Sequence, residues 1–453
     1  MMLRMPLSRR TLFAAGLAGA GAALTGCREQ VRPGWSEAGP ATTAPAAATP
    51  GSEAAGAARV PGTAGMGPAP TTGAATRMDA RLAAELTRHL APTRDNPKHP
   101  AYGGAVALCL VDGRVVGRAA VGKALRHGAG PVLLPESEQV PMRLDSIFDT
   151  ASLTKVYTAI LTLQQVDRGR FDLDTRVVDL LPGFVGPGKE AITVAMLLAH
   201  TGGLPVGAKV TGLSGDAARR AAVLATPLLP RAVPGSVFRY SSVGLMVLAQ
   251  LVEKVTGQRF DRALRTGLTG PLGLRDTGFN PNSWLSSADR AARLVATDAR
   301  SSRGLLRGVV HDDVANRLGG VAGHAGVFST ATDVAAIGQL LLGGGTHKGR
   351  RILSESITRR MLTNVNKGLP AVDPERPRRT AAHGLGVVLD QPWFMGRLSG
   401  PRTFGHTGFT GTSLVVDPAR RMVLVLLTNR AHPNWSWADP DPVRAAVAGV
   451  AAG

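Results

Sequence analysis

A serine and a lysine three residues apart, Ser152 and Lys155, sit in the run DSIFDTASLTKVYTAILTLQQVDRG over residues 145–169. Apolar residues at Val156, Ile160, Leu163 and Val166 recur near the helical period, which predicts a long amphipathic helix closed by Asp167, Arg168 and Gly169. In such a helix the i, i+3 spacing puts the hydroxyl and the amine on one face. An amine so placed can take the hydroxyl's proton, provided burial or a positive neighbour keeps part of it neutral. A surface serine beside a solvated lysine has the same spelling, so the rest of the chain must decide between the two. The apolar, short-side-chain surroundings favour the buried pair.

Two further segments hold side chains suited to the same chemistry. Tyr240 and Ser242 lie in RYSS, after Pro234 and Gly235 and immediately before an apolar helical run that starts at Val243. His406, Thr407 and Gly408 lie in FGHTGFTGT over residues 404–412, at the entry to the last strands, where glycines would let a substrate edge lie close. Each also has a plain structural reading, Tyr240 as a half-buried interface tyrosine and His406 as a strand-end packing residue. His200 reads as the packing of a helix end.

The elements that must position these residues follow in order. Residues 1–27 read as an export signal: a twin-arginine pattern at Arg9 and Arg10, an Ala/Gly-rich apolar run, and Leu24-Thr25-Gly26-Cys27, which resembles a lipobox with Cys27 as the lipidated first mature residue. Residues 28–76 are rich in Ala, Pro, Thr and Gly and cannot build a core, so they read as a disordered tether. A folded domain is expected over residues 77–440, with a helix or tail over 441–453. Within it the patterns predict a helix at 79–90 and a hairpin of strands at 104–111 and 114–121. Helices are predicted at 192–200, 214–225, 243–256, 331–342 and 354–363, and closing strands at 384–389, 412–416 and 422–427. Strands at both ends and helices between them give an α+β fold, with an antiparallel sheet formed by both chain ends and a mainly helical region inserted.

Composition narrows the function classes. The 453 residues carry 52 Lys and Arg against 32 Asp and Glu, a net charge of +20, yet only 4% are aromatic and no basic block is interleaved with aromatics. Nucleic acid is therefore not expected as a partner; a weak affinity for anionic envelope polymers or lipid head groups is. Cys109 sits in an apolar strand and reads as a buried thiol, so no structural disulfide and no cysteine metal site are expected.

Ser152-Leu-Thr-Lys155, Tyr240-Ser-Ser242 and His406-Thr-Gly408, in this order, resemble the three motifs of the serine β-lactamase and penicillin-binding protein superfamily. The likeness is to its class C-like branch, which includes D-alanyl-D-alanine carboxypeptidases and esterases. It extends over residues 79–432 and includes Leu198-Ala-His-Thr-Gly-Gly-Leu-Pro205. The resemblance implies a β-lactamase/transpeptidase-like fold and makes Ser152 the nucleophile of an acyl-enzyme. Lys155 and Tyr240 would share the base, with Lys155 or Arg239 as the cation that tunes Tyr240. The backbone amides of Ser152 and Phe409 would form the oxyanion hole, and Ser242, His406, Thr407 and Gly408 would bind substrate. Residues 319–326 then read as a cleft wall, which speaks against a metal at His311, Asp312, Asp313 and His324; no metal or other cofactor is expected. Two departures stand out: Ser242 replaces the usual Asn, and His406 the usual Lys. A histidine of ordinary pKa, about 6.5, is mostly neutral at pH 7 and charges toward pH 6.

These features point to an esterase-like serine hydrolase acting on a small ester or amide, lipid-anchored at the outer face of the cytoplasmic membrane. The alternatives are a D-alanyl-D-alanine carboxypeptidase or β-lactamase, whose substrates would be a peptidoglycan peptide or a β-lactam, and a non-catalytic peptidoglycan-binding lipoprotein. Replacing Arg9 and Arg10 by Lys should leave precursor in the cytoplasm, and Cys27→Ala should release the domain from the membrane with its activity intact. Fractionation and immunoblotting check both, and normal membrane association of Cys27→Ala would rule out the lipid anchor.

Overall fold

The computed structural model describes residues 73–453. The export signal with Cys27, and residues 28–72 of the tether, lie outside the described residues. The elements used below are helix α1 (Gly73–Arg88), strands β1 (Gly104–Val111), β2 (Arg114–Leu125), β3 (Val140–Pro141) and β4 (Phe148–Asp149), and helices α2 (Thr154–Asp167), α3 (Val194–Leu198) and α4 (Val243–Thr256). Then come β5 (Gly278–Phe279), β6 (Val327–Ser329), α5 (Ala331–Leu342), β7 (Val388–Leu389), β8 (Phe404–Thr407), β9 (Ser413–Asp417), β10 (Met422–Thr428) and α6 (Asp441–Ala451).

The main sheet has the order β7-β8-β9-β10-β1-β2-β3 and is antiparallel throughout. Its first and last long strands meet at the centre, with Val106 opposite Leu427 and Leu108 opposite Val425. Alternation explains why these strands are apolar on both faces. Val106, Leu108, Val423, Val425 and Leu427 enter the larger core, which includes α2, α4 and α5. Ala105, Ala107, Cys109, Leu424 and Leu426 face a second core with Leu82 and Leu86 of α1 and Val443 and Val447 of α6. Cys109 is a buried free thiol, and its burial pushes the pKa up to about 12. The fold is thus α+β with the helical block between the two strand groups.

The helix that carries Lys155 departs from the amphipathic expectation. Every residue of α2 from Thr154 to Gln165 is buried, so both its apolar and its polar stripes face protein. The polar stripe is satisfied internally. Thr158 Oγ1 donates to Gly323 O at 2.6 Å, Thr162 Oγ1 to Thr158 O at 2.9 Å, and Thr154 Oγ1 accepts from Val327 N at 3.1 Å. A small sheet of β4, β6 and β5 delivers the chain into this helix. One of its strands, Gly278–Phe279, lies outside the elements that the sequence pattern predicts.

Other boundaries moved for local reasons. The 192–200 helix is reduced to Val194–Leu198, started by Thr193 accepting from Met196 N and ended by His200 at φ 59°. The strand expected at 384–389 keeps only Val388–Leu389, because Gly386 turns at φ 84° and donates to Leu198 O at 3.0 Å. A Cβ at Gly386 would lie 2.2 Å from Ala159 Cβ of α2. Gly386→Ala therefore combines overpacking with an unfavourable φ, and should cost about 2–4 kcal/mol of stability, measurable as a fall in denaturation midpoint.

Candidate active site

Ser152 lies in a 3-10 turn, Ala151–Leu153, that runs directly into α2. Ala151 before it has φ 48°, a left-handed conformation unusual for a residue with a Cβ. Asp149 holds that turn: its Oδ1 accepts from Ala151 N at 2.9 Å and its Oδ2 from His311 N at 2.7 Å. Full burial pushes the Asp149 carboxyl up to about 6, with the two amide bonds opposing the rise.

Lys155 is completely buried. Its Nζ donates to Ser152 Oγ at 2.9 Å and to His324 O at 3.1 Å, and lies 4.9 Å from the centre of the Tyr240 ring. No carboxylate of the described residues forms an ion pair with it. The structure therefore brings the three side chains together: a half-exposed hydroxyl, a buried amine and a tyrosine face. Ser242, the last residue before α4, is buried, and its hydroxyl makes no hydrogen bond to the described residues.

Tyr240 sits in a nest of histidines. Its ring centre is 4.8 Å from His200 and 6.3 Å from His406, and His200 is 5.0 Å from His383. His406 Nδ1 donates to Thr407 O at 2.8 Å, His383 Nδ1 donates to Gly384 O at 2.6 Å, and His200 Nδ1 accepts from Ser241 N at 3.2 Å. The three Nε2 atoms are buried without a partner among the described residues. Burial, reinforced by neighbouring cations that include Lys155, holds His200 and His406 well below the usual histidine range, and burial brings His383 down to about 3. The expectation that His406 would charge toward pH 6 is therefore corrected: it is a buried neutral ring, not a titrating substitute for lysine.

Of the two cations anticipated beside Tyr240, Lys155 lies over its ring and Arg239 does not. Arg239 is exposed and enters the site only through its backbone N, which donates to His200 O. Instead Arg379, from the loop between α5 and β7, lays its guanidinium over Phe238 at 4.8 Å and Tyr240 at 5.9 Å. Asp373 accepts from its Nη1 at 3.1 Å, while its Nε is buried without a partner. No local pattern announced it, because an arginine in a Pro/Arg-rich loop looks solvated until the loop packs.

The loop expected to supply the Phe409 amide to an oxyanion hole follows β8. Thr410 Oγ1 donates to Asp149 O at 2.8 Å and Thr412 Oγ1 to Thr150 O at 2.9 Å, pinning the loop to the chain that leads to Ser152. A Cβ at Gly408 would lie 2.3 Å from Thr150 O, so the close packing of this loop on the chain before Ser152 itself requires a glycine. Neither the Ser152 nor the Phe409 amide donates to an acceptor among the described residues, and Thr407, half-buried, has a hydroxyl free of such partners. The Phe409 side chain is 40% exposed and stacks on His311 at 5.3 Å. His311, Asp312, Asp313 and His324 are dispersed rather than convergent. Asp312 caps a helix and meets His324 Nε2 at 2.9 Å, while Asp313 pairs with Arg303 at 2.8 Å. Among the described residues no three His, Cys, Asp or Glu side chains are grouped to hold a metal ion.

This geometry has known relatives. The beta-lactamase family model matches residues 41–449, and the chain belongs to that family. A protein of Escherichia coli K12 named "Putative D-alanyl-D-alanine carboxypeptidase" is 33% identical over 364 residues, 73% of this chain and 79% of its own. One of the same name from Salmonella schwarzengrund is 30% identical over 365 residues, again 73% and 79%. Among solved structures, EstCE1, described as a hydrolase with promiscuous acyltransferase activity, superposes with a TM-score of 0.62 at 21% identity, covering 84% of this chain and all 100% of its own. A penicillin-binding protein homologue from Caulobacter crescentus gives 0.60 at 23%, covering 84% and 99%. At these identities the two structures establish the fold. Family and fold together assign serine-hydrolase chemistry through an acyl-enzyme as the general class.

The neutral histidines carry a pH signature. A depressed folded-state pKa means that the unfolded state binds the proton first. The stability is therefore complete above about pH 6.5 and is lost as the pH falls toward 3, the value for His383. Asp149 and Asp333, both pushed up to about 6, act with the opposite sign, so a single-site comparison is needed. Thermal melts from pH 7.5 to 5 should show a smaller loss for His383→Asn than for the parent. The difference should approach about 2 kcal/mol at pH 5, and parallel curves would mean that His383 is not buried neutral.

Proposed function

We propose that the protein is an esterase-like serine hydrolase of the bacterial cell envelope, held to the outer face of the cytoplasmic membrane through Cys27. The observation that carries the catalytic reading is the 2.9 Å contact between Lys155 Nζ and Ser152 Oγ at the start of a buried helix. Ser152 Oγ attacks the substrate carbonyl carbon as its proton passes to Lys155 in its free-amine form. The resulting oxyanion sits between the Ser152 and Phe409 amides, where fixed donors meet charge that develops only in the transition state. Collapse expels the alcohol or amine, protonated through Tyr240, and water then releases the acid from the Ser152 ester. Ser242, Thr407 and Gly408 line the path of the bound acyl group.

A neutral ester is favoured because the third motif offers no exposed cation: His406 is buried and neutral, and Arg379 is buried and paired with Asp373. The second reading, a D-alanyl-D-alanine carboxypeptidase, draws support from the names of the relatives and from the unpartnered Nε of Arg379, a permanent donor suited to a carboxylate.

Intact-mass analysis should show one fluorophosphonate adduct on the parent and none on Ser152→Ala; no adduct on the parent would favour a non-catalytic, peptidoglycan-binding role. Lys155→Ala and Tyr240→Phe should each slow acylation by roughly 10²-fold or more, and the double variant by less than the product. The substrate question is settled by kcat/KM for a neutral ester and for a D-alanyl-D-alanine peptide at pH 7.5. The ester should be turned over at least as well by the parent, with little change in Arg379→Gln. Strong preference for the peptide, lost in Arg379→Gln, would establish the carboxypeptidase instead.

A further inference from the structure

A trans peptide directs its carbonyl and its amide hydrogen to opposite sides, so whatever grips Gly408 O decides where Phe409 N–H points. Gly408 O accepts from Gly411 N at 3.0 Å and from Arg444 Nη2 at 2.5 Å. The same nitrogen reaches Thr412 O at 3.1 Å, the carbonyl that accepts from Gly408 N at 2.8 Å. Arg444 comes from α6, the last helix of the chain, and its side chain is only 3% exposed. Asp441 balances its charge at 2.8 Å and also takes Arg376 at 2.9 Å, while Asp373, the partner of Arg379, accepts from Arg376 N at 3.1 Å. A buried guanidinium on α6 is thus clamped, by groups of its own, onto one peptide of the site.

We infer that Arg444 is the positioning residue of the oxyanion hole: it fixes the plane of the Gly408–Phe409 peptide and polarises it, so that Phe409 N–H faces the carbonyl bound at Ser152. The inference rests on the acyl-enzyme reading above. Two physical effects act together. The guanidinium draws electron density toward Gly408 O, and the N–H at the other end of the same peptide becomes a stronger donor. The hydrogen bonds of Gly408, Thr410 and Thr412 also leave the loop no slack: a Cβ at Gly408 would meet Thr412 Oγ1 at 2.1 Å. A lysine could supply the charge but not the planar fork that contacts Gly408 O, Thr412 O and Asp441 at once.

A purely structural role for Arg444 would be the anchoring of α6, and kinetics separate the two. For Arg444→Lys, kcat for a p-nitrophenyl ester should fall about 10-fold or more with KM nearly unchanged, since the lost interaction belongs to the transition state. Affinity for a boronic acid, whose tetrahedral adduct mimics that state, should fall by a similar factor. Val447→Ala, a buried deletion on the same helix, should lower thermal stability and leave kcat and boronate affinity as in the parent. Asp441→Asn, which keeps the guanidinium but loosens its aim, should give a smaller loss of the same kind, and it decides the matter if Arg444→Lys does not fold. Unchanged kcat and boronate affinity in the deciding variant, whatever its melting temperature, overturns the inference. A parent that takes no fluorophosphonate at Ser152 overturns the acyl-enzyme reading first, and this one with it.

Discussion

Burying Lys155 with no carboxylate in direct ion-pair contact among the described residues is the constraint on which this structure turns. Withdrawing an ammonium group from water is expensive, and an ion pair is the usual remedy. Here the direct contacts are polar but uncharged, the Ser152 hydroxyl, the His324 carbonyl and the face of Tyr240, and the Asp312 carboxylate acts on the cation without contacting it. Each of these must be delivered by a different part of the chain. The turn before α2 brings the serine, the loop 319–326 brings the carbonyl, and the segment before α4 brings the tyrosine. The surroundings are adjusted to the same cation. After burial itself, the charge of Lys155 is among the causes that keep His200 and His406 neutral.

The topology serves that arrangement. Because β1 pairs with β10, strands from both parts of the chain close one sheet, and the loop between β8 and β9 hangs from it beside the turn that carries Ser152. Ala151 is held in its left-handed conformation by Asp149 below and by the threonine hydroxyls of the loop alongside. Strain of this kind persists only where the surroundings over-determine it. Those hydrogen bonds therefore do two jobs, keeping the turn in place and keeping the Ser152 and Phe409 amides free to donate.

Much of this was legible in the chain, and the reasons differ by element. The long strands β1, β9 and β10 were readable because each is a short apolar run between turn residues. The Ser152–Lys155 pair was readable because helical geometry alone fixes an i, i+3 contact. The burial of α2 on every side is not visible in the pattern, because Thr154, Thr158 and Thr162 have the spelling of a solvent-facing stripe. They are buried, each satisfied by a backbone partner or its neighbouring turn, and a one-dimensional pattern cannot tell a wet threonine from a bonded one. Arg379 and Arg444 were illegible for a related reason: their partners, Tyr240, Gly408 and Thr412, are far off in sequence, and an isolated arginine carries no mark of the contact it makes.

The substitution of histidine for lysine in the third motif now has a physical meaning beyond the loss of a charge. A lysine at position 406 would face a second cation, Lys155, within a pocket already holding Arg379 over Tyr240. Three positive groups around one tyrosine would repel one another strongly in a medium with little water. With a neutral imidazole bonded to its own strand through Thr407 O, the site keeps Lys155 next to Ser152 and has its second cation, Arg379, 5.9 Å from the Tyr240 ring centre. Charge recognition, if the substrate demands any, then falls to a guanidinium that does not titrate in the physiological range. The histidine instead shapes the pocket, and that division leaves the amine at Lys155 as the one basic group in contact with the serine.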